Sequence, residues 1–319
     1  EGHYTSNKIE CRIPDGRNKE AEKQLKYDYP NYIDFVRFCL KQEISGSLFL
    51  SYCDLKGIKL PKNISGSLYL SGCDLKDIKL PENISGSLDL SGCKNLKGIK
   101  LPENISGSLY LSGCKNLKGI KLPENISGSL DLRGCDLKDI KLPENKLPEN
   151  ISGSLYLSGC KNLKGIKLPE NISGYLYLSG CKNLKGIKLP ENISGYLDLS
   201  GCDLKDIKLP ENISGSLDLS YCDLKGIKLP ENINGSLYLS YCDLKDIKLP
   251  ENINGSLYLS YCDLKDIKLP ENISGSLDLS GCDLKGIKLP ENISGSLDLR
   301  GCDLTNIDIP EKFKNKTTK

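Results

Sequence analysis

Cysteine has the most chemistry to offer in this chain, and thirteen of the fifteen cysteines recur at one fixed place, from Cys53, Cys73 and Cys93 through to Cys282 and Cys302. Nine of them are followed by aspartate, as in Cys73-Asp74, and a thiol beside a carboxylate has the makings of a nucleophile with its base. Nine copies of one dipeptide describe a structural rung, because a catalytic pair needs one pocket and not a column. A histidine-based triad or a zinc site would have to draw on His3, the single histidine. Glu1-Gly2-His3 has the form of a square-planar Cu(II) chelate only with a free amine, and we take no metal, cofactor or catalytic site from it. The expectation is a protein that is not an enzyme.

Tyrosine and aspartate are the other candidates. One column holds Phe49, Tyr69, Asp89, Tyr110, Asp131, Tyr156, Tyr177, Asp198, Asp218, Tyr238, Tyr258, Asp278 and Asp298, each between two leucines that hardly vary, with serines on either side. Tyr175 and Tyr196 replace one of those serines, and Tyr221, Tyr241 and Tyr261 replace the glycine before the cysteine. Two clusters follow, Tyr156, Tyr175, Tyr177 and Tyr196 in one, and Tyr221, Tyr238, Tyr241, Tyr258 and Tyr261 in the other. Tyrosine gives a large contact area at low entropic cost, and with serine it makes an adaptable binding surface. Tyr and Ser also favour strands for their own sake, but an exposed aromatic row is a poor choice for a face that meets only solvent. These nine tyrosines, with Asp198 and Asp218, are the expected binding residues.

The elements that must position them follow from the repeat. The cysteines recur every 20 or 21 residues, the longer form reading Cys-Lys-Asn-Leu, as at Cys93–Leu96, where the shorter has Cys-Asp-Leu. In the unit from Ile64 to Asn83, the apolar or small residues Ile64, Gly66, Leu68 and Leu70 alternate, which predicts one strand with a single buried face. Ser65, Ser67, Tyr69 and Ser71 then face outward. After Cys73 the spacing changes to Leu75, Ile78 and Leu80, and Pro81 forbids a helix or a central strand, so the return segment is expected to be extended or 3₁₀. One such unit cannot bury its own leucines; stacked units make a continuous core with parallel strands on one side. Thirteen coils at a strand spacing of ~4.8 Å predict a rod or arc about 60 Å long, with each cysteine stacked on the next and capping backbone groups at the bend.

The pattern Leu-x-Leu-x-x-Cys-x-Leu-x-x-Ile-x-Leu-Pro, seen at Leu68, Leu70, Cys73, Leu75, Ile78, Leu80 and Pro81, resembles the leucine-rich repeat, closest to the short bacterial class found in translocated effectors of enteric pathogens and related bacterial and phage proteins. The resemblance covers Ile44 to Ile309. It implies an arc with a parallel sheet on its concave side, and a protein partner bound there. Some effectors of this kind carry a C-terminal ubiquitin-ligase domain; none is expected here, where the chain ends at Lys319.

Residues 1–43 depart from the repeat and are expected to form a helical cap, with helices at Asn18–Lys26 and Asn31–Gln42 and a possible Cys11–Cys39 pair. Residues 44–309 hold the thirteen repeats and residues 310–319 a C-terminal cap and basic tail, with Ile309, Pro310 and Phe313 placed to close the last coil. Lys146–Asn150 duplicates the preceding Lys-Leu-Pro-Glu-Asn and is expected to bulge from the convex side. Lys and Arg number 44 against 42 Asp and Glu, a balance that gives no field to attract nucleic acid. No run reaches the ~18 apolar residues of a membrane span. The recurrent Asn-Ile-Ser, as at Asn63 and Asn83, is formally an N-glycosylation site, but glycans on coils ~5 Å apart could not coexist. The favoured function is a protein-binding scaffold, secreted or delivered into a host by a bacterium. A filament-forming spacer, with self-assembly of its near-identical coils, is the alternative; ice or carbohydrate binding by the serine columns ranks lower.

Overall fold

A computed structural model describes residues 9–10 and 46–314, apart from 116, 139, 141 and 143–145. It is a parallel-strand solenoid of stacked coils falling into two compact units, Glu1–Gly153 and Ser154–Lys319. From Asn63 onward each coil carries two strands of two residues, here called the corner strand, such as Asn63–Ile64, and the face strand, such as Leu68–Tyr69.

In the first unit the face strand Leu68–Tyr69 pairs in parallel with Leu48–Phe49 on one side and Leu88–Asp89 on the other, leucine against leucine. The ladder continues through Leu109–Tyr110 to Leu130–Asp131. In the second unit the same ladder runs from Leu155–Tyr156 to Leu297–Asp298. Register is uniform because each coil returns the chain to the same place, and a one-residue slip would turn every leucine to solvent. Corner strands pair likewise, Asn63–Ile64 with Asn83–Ile84, and the Asn83 side-chain amide donates to the Asn63 side-chain carbonyl at 2.8 Å. That asparagine ladder is a structural reason for the Asn-Ile-Ser repeat, independent of glycosylation.

The single strand expected over Ile64–Leu70 is broken at Gly66. The Gly86 amide donates to the Gly66 carbonyl oxygen at 2.8 Å, and a Cβ added to Gly86 would lie 2.7 Å from the Gly66 carbonyl carbon. Backbone meets backbone at this corner, so glycine is required by space alone and not as a small inward residue.

Two tight turns follow the face strand. Cys73 N donates to Leu70 O at 3.1 Å around Gly72, whose φ is 72°, and Ile78 N donates to Leu75 O at 3.1 Å around Asp77, whose φ is 62°. A left-handed residue in the third position of a turn favours Gly, Asn and Asp, which accounts for the alternation of those residues at the second place; the first holds glycine in most coils and tyrosine in the others. The chain then returns through Leu80 and Pro81 with neither helix nor strand.

Ile64, Leu68, Leu70, Cys73 and Leu75 are each at most 1% exposed, and their equivalents form one continuous core within each unit. The cysteine also does what its place at the bend requires. Leu70 O accepts the Cys73 amide at 3.1 Å and the Cys93 thiol of the next coil at 3.0 Å, so both lone pairs of a carbonyl beyond the sheet are used.

Ile9–Glu10 adds one further parallel strand, beside Leu48–Phe49. The expected helices at Asn18–Lys26 and Asn31–Gln42, and Cys11 and Cys39, lie outside the described residues. At the other end Glu311–Phe313 forms a 3₁₀ turn that buries Phe313, while Lys312 Nζ donates to Ile293 O at 2.8 Å. Of the two identical Lys-Leu-Pro-Glu-Asn copies, the second holds the repeat position. Leu147 is buried like Leu122, and Asn150–Ile151 pairs with Asn125–Ile126.

Candidate interaction face of the second unit

All eleven expected binding residues belong to the second unit. Tyr156 and Tyr177, one above the other on adjacent face strands, stack with centroids 4.9 Å apart, and Tyr238 and Tyr258 do so at 4.5 Å. Between these pairs come Asp198 and Asp218, where a ring stack would be interrupted. Tyr196 closes the gap. Its ring lies 5.8 Å from Tyr177 and 6.1 Å, edge-on, from Tyr238, and its hydroxyl donates to Asp218 Oδ2 at 2.7 Å. Tyr175 meets Tyr177 edge-on at 6.0 Å. One continuous aromatic group therefore runs through Tyr156, Tyr175, Tyr177, Tyr196, Tyr238 and Tyr258. Burial and the adjacent Asp218 carboxylate both push the Tyr196 phenol well up, so it stays protonated and a donor.

The other three tyrosines stand apart. Tyr221, Tyr241 and Tyr261 lie on the turn after the face strand, in left-handed conformation with φ of 62°, 60° and 57°, where other coils have glycine. They stack at 4.6 and 4.8 Å and are 47–64% exposed. Among the described residues no ring contact joins them to Tyr238 or Tyr258. The two clusters expected from sequence are thus regrouped: Tyr238 and Tyr258 belong with the first, and the glycine-replacing tyrosines form their own row.

The aspartates of the face are held by their own turns. Asp198 and Asp218 each accept, through Oδ1, the amide two residues on, Ser200 at 2.9 Å and Ser220 at 2.8 Å. Where an aspartate follows the cysteine it does the same, Asp223 accepting the Lys225 amide at 3.0 Å, so the Cys-Asp repeat is a turn cap beside a buried thiol. Burial pushes the thiols of the column up, Cys222 to about 11 and Cys242 to about 12, and holds them neutral. Neutral, enclosed thiols are poor nucleophiles.

Sequence reasoning missed the role of the serine that follows the corner glycine. Its hydroxyl oxygen faces the next coil and accepts a backbone amide there, as Ser216 Oγ does from Ser236 N at 2.8 Å and Ser236 Oγ from Ser256 N at 3.0 Å. Tyr175 N finds such an acceptor in Ser154, at 3.0 Å. Tyrosine at positions 175 and 196 offers none to the coil that follows, so among the described residues the amides of Tyr196 and Ser216 have no serine acceptor. The signal was present in the sequence, as two tyrosines interrupting an otherwise constant serine.

A family model described as BspA type leucine rich repeat region matches the chain in six copies, over residues 42–152, 131–216, 198–278 and 255–318. The chain belongs to this family. A comparison with curated proteins finds no match. In these BspA-type repeats the leucine, isoleucine, glycine and cysteine columns make the coil, and the variable face column carries the rows of tyrosine and aspartate. On the return segment the BspA-type coils display Lys–Glu pairs such as Lys188–Glu191, 3.2 Å apart, with both side chains more than three-quarters exposed. Ion pairs so open to water add little stability, and their alternating charge keeps that side solvated.

Proposed function

We propose that the protein is a non-enzymatic scaffold that binds another protein through the tyrosine-bearing face of its second unit, and that it acts outside the bacterium that makes it, secreted or delivered into a host. Leucine-rich repeats suggest an interaction scaffold as a class, since stacked coils present an extended, regular surface. The observation that carries the reading is the row Tyr221, Tyr241 and Tyr261. Each holds a bulky side chain in left-handed conformation where glycine would sit without strain, at a cost of about 1 kcal/mol apiece. Strain maintained in three successive coils, for rings that remain half exposed, is a mark of a surface kept for contact.

Capture experiments test this. The full chain is immobilised, and recovery of interacting proteins is compared with that by a variant carrying Tyr238→Ala, Tyr241→Ala, Tyr258→Ala and Tyr261→Ala. The expected result is a saturable partner lost from the variant, whose circular dichroism matches the parent. A partner retained at equal affinity by the variant contradicts the assigned face.

A further inference from the structure

The first unit holds a different arrangement. Its face column runs Phe49, Tyr69, Asp89, Tyr110 and Asp131, one strand apart in register. Tyr69 stacks on Phe49 at 4.6 Å and 8°, so its other ring face looks along the column toward the coil of Asp89. Tyr110 stands on the far side of the same aspartate. Asp89 Oδ1 accepts the Ser91 amide at 2.9 Å, and among the described residues the carboxylate forms no ion pair.

The chain itself shows how a cation sits on this column. Arg133, two residues after Asp131, donates to it through Nε at 3.0 Å and Nη2 at 2.6 Å, and Arg300 does the same to Asp298 at 3.0 and 2.6 Å. Two residues after Asp89 the sequence has Ser91, which carries no charge. The other face aspartates differ in their surroundings. Asp218 receives the Tyr196 hydroxyl, Asp198 has Asp218 beside it, and Asp278 has the Asp298–Arg300 pair beside it. Asp89 alone combines a tyrosine coil on either side with no cation of its own.

We propose that Tyr69, Asp89 and Tyr110 form a binding site for a quaternary ammonium group. Coils lie ~4.8 Å apart, so a cation centred over Asp89 is about 5 Å from the tyrosine coil on each side, inside the ~6 Å range of cation–π attraction. A rounded, methylated ammonium spans that gap and meets both sides at once. A flat guanidinium, which stacks at ~3.5–4 Å, meets only one. The carboxylate supplies the opposing charge without having to donate a hydrogen bond, which suits a ligand that has no N–H. The shared chemistry is that of choline and of a trimethylated lysine side chain.

Ligand-observed NMR on the full chain tests the site with choline, with acetylated trimethyl-lysine amide, and with dimethylbutanol, the uncharged carbon isostere of choline. Choline is expected to bind at least about tenfold more tightly than the isostere. A tighter response from the lysine derivative would identify a protein side chain as the source, and a tighter response from choline a small molecule or headgroup. Asp89→Asn keeps the Oδ1 acceptor for Ser91 N and so the turn, but should weaken choline binding about tenfold. Ser91→Arg, patterned on Arg133, should fill the site and abolish binding, whereas Asp278→Asn in the second unit should leave it unchanged. Equal binding of the isostere, undiminished binding by the Ser91→Arg protein, or no choline binding by the parent would each overturn the proposal. None of these outcomes bears on the protein-binding face of the second unit.

Discussion

The Tyr196 hydroxyl donates to Asp218 Oδ2 at 2.7 Å, across the gap that Asp198 and Asp218 leave between the two ring stacks of the second unit's face column. A single side chain thereby joins the Tyr156–Tyr177 pair to the Tyr238–Tyr258 pair. It does so from a position where serine would have accepted a backbone amide. Tyr196→Phe keeps the ring and removes the bond, so urea unfolding should show a loss of about 1 kcal/mol. A larger loss, with changed near-ultraviolet dichroism, would mean that the hydroxyl positions the rings as well.

The row at the turn reverses a familiar order of substitution. Tyr241→Gly gives up two stacking contacts but relieves the left-handed backbone, whereas Tyr241→Ala gives up the same contacts and keeps the strain. The glycine variant should therefore be more stable than the alanine variant, by about 1 kcal/mol. Equal midpoints in urea would show that the turn tolerates any residue.

Two kinds of glycine should also separate. Gly86→Ala drives a Cβ into the Gly66 backbone and should cost about 3 kcal/mol. At Gly92, whose φ is 64° with open space around it, alanine meets only conformational strain and should cost about 1 kcal/mol. Similar losses at both sites would argue against backbone contact at the corner.

The cysteine column gives the protein an alkaline limit. Burial raises Cys73 and Cys114 to about 11 and Cys93 and Cys135 to about 12, from 9.0. Above a pH of about 9 the unfolded chain loses thiol protons that the folded chain keeps. The folded state then binds more protons, and stability must fall as pH rises. The decline should approach about 1.4 kcal/mol per pH unit for each thiol concerned, and be absent below a pH of about 8. Urea midpoints measured across that range check it, and a midpoint unchanged to a pH of about 10 would mean that the thiols are not enclosed.

The repeat, its parallel strands and its core were legible because apolar periodicity reports burial directly: Leu68, Leu70, Cys73 and Leu75 occupy the core that their spacing predicts. What was not legible depended on contacts between coils. Gly66 read as a small inward residue, since a sequence does not display the neighbouring backbone that excludes a Cβ. Ser67 read as solvent-facing, yet its hydroxyl accepts the Ser87 amide at 2.9 Å, a bond visible only once coils are stacked. Tyr221, Tyr241 and Tyr261 were grouped with Tyr238 and Tyr258, although their substitution for glycine was itself the sign of a left-handed turn. The regrouping of Tyr238 and Tyr258 depended on the reach of Tyr196 over two coils, which no spacing rule conveys.

The central claim is that the second unit keeps its tyrosines for a partner and not for its own stability. A titration of the captured partner against the protein carrying Tyr175→Ser and Tyr196→Ser tests this most directly, because those serines restore the acceptors for the Tyr196 and Ser216 positions. The expected result is affinity at least about tenfold weaker, which is about 1.4 kcal/mol, in a protein whose melting temperature is no lower than the parent's. Unchanged affinity, or weakened affinity only in step with a collapsed melting temperature, would contradict it.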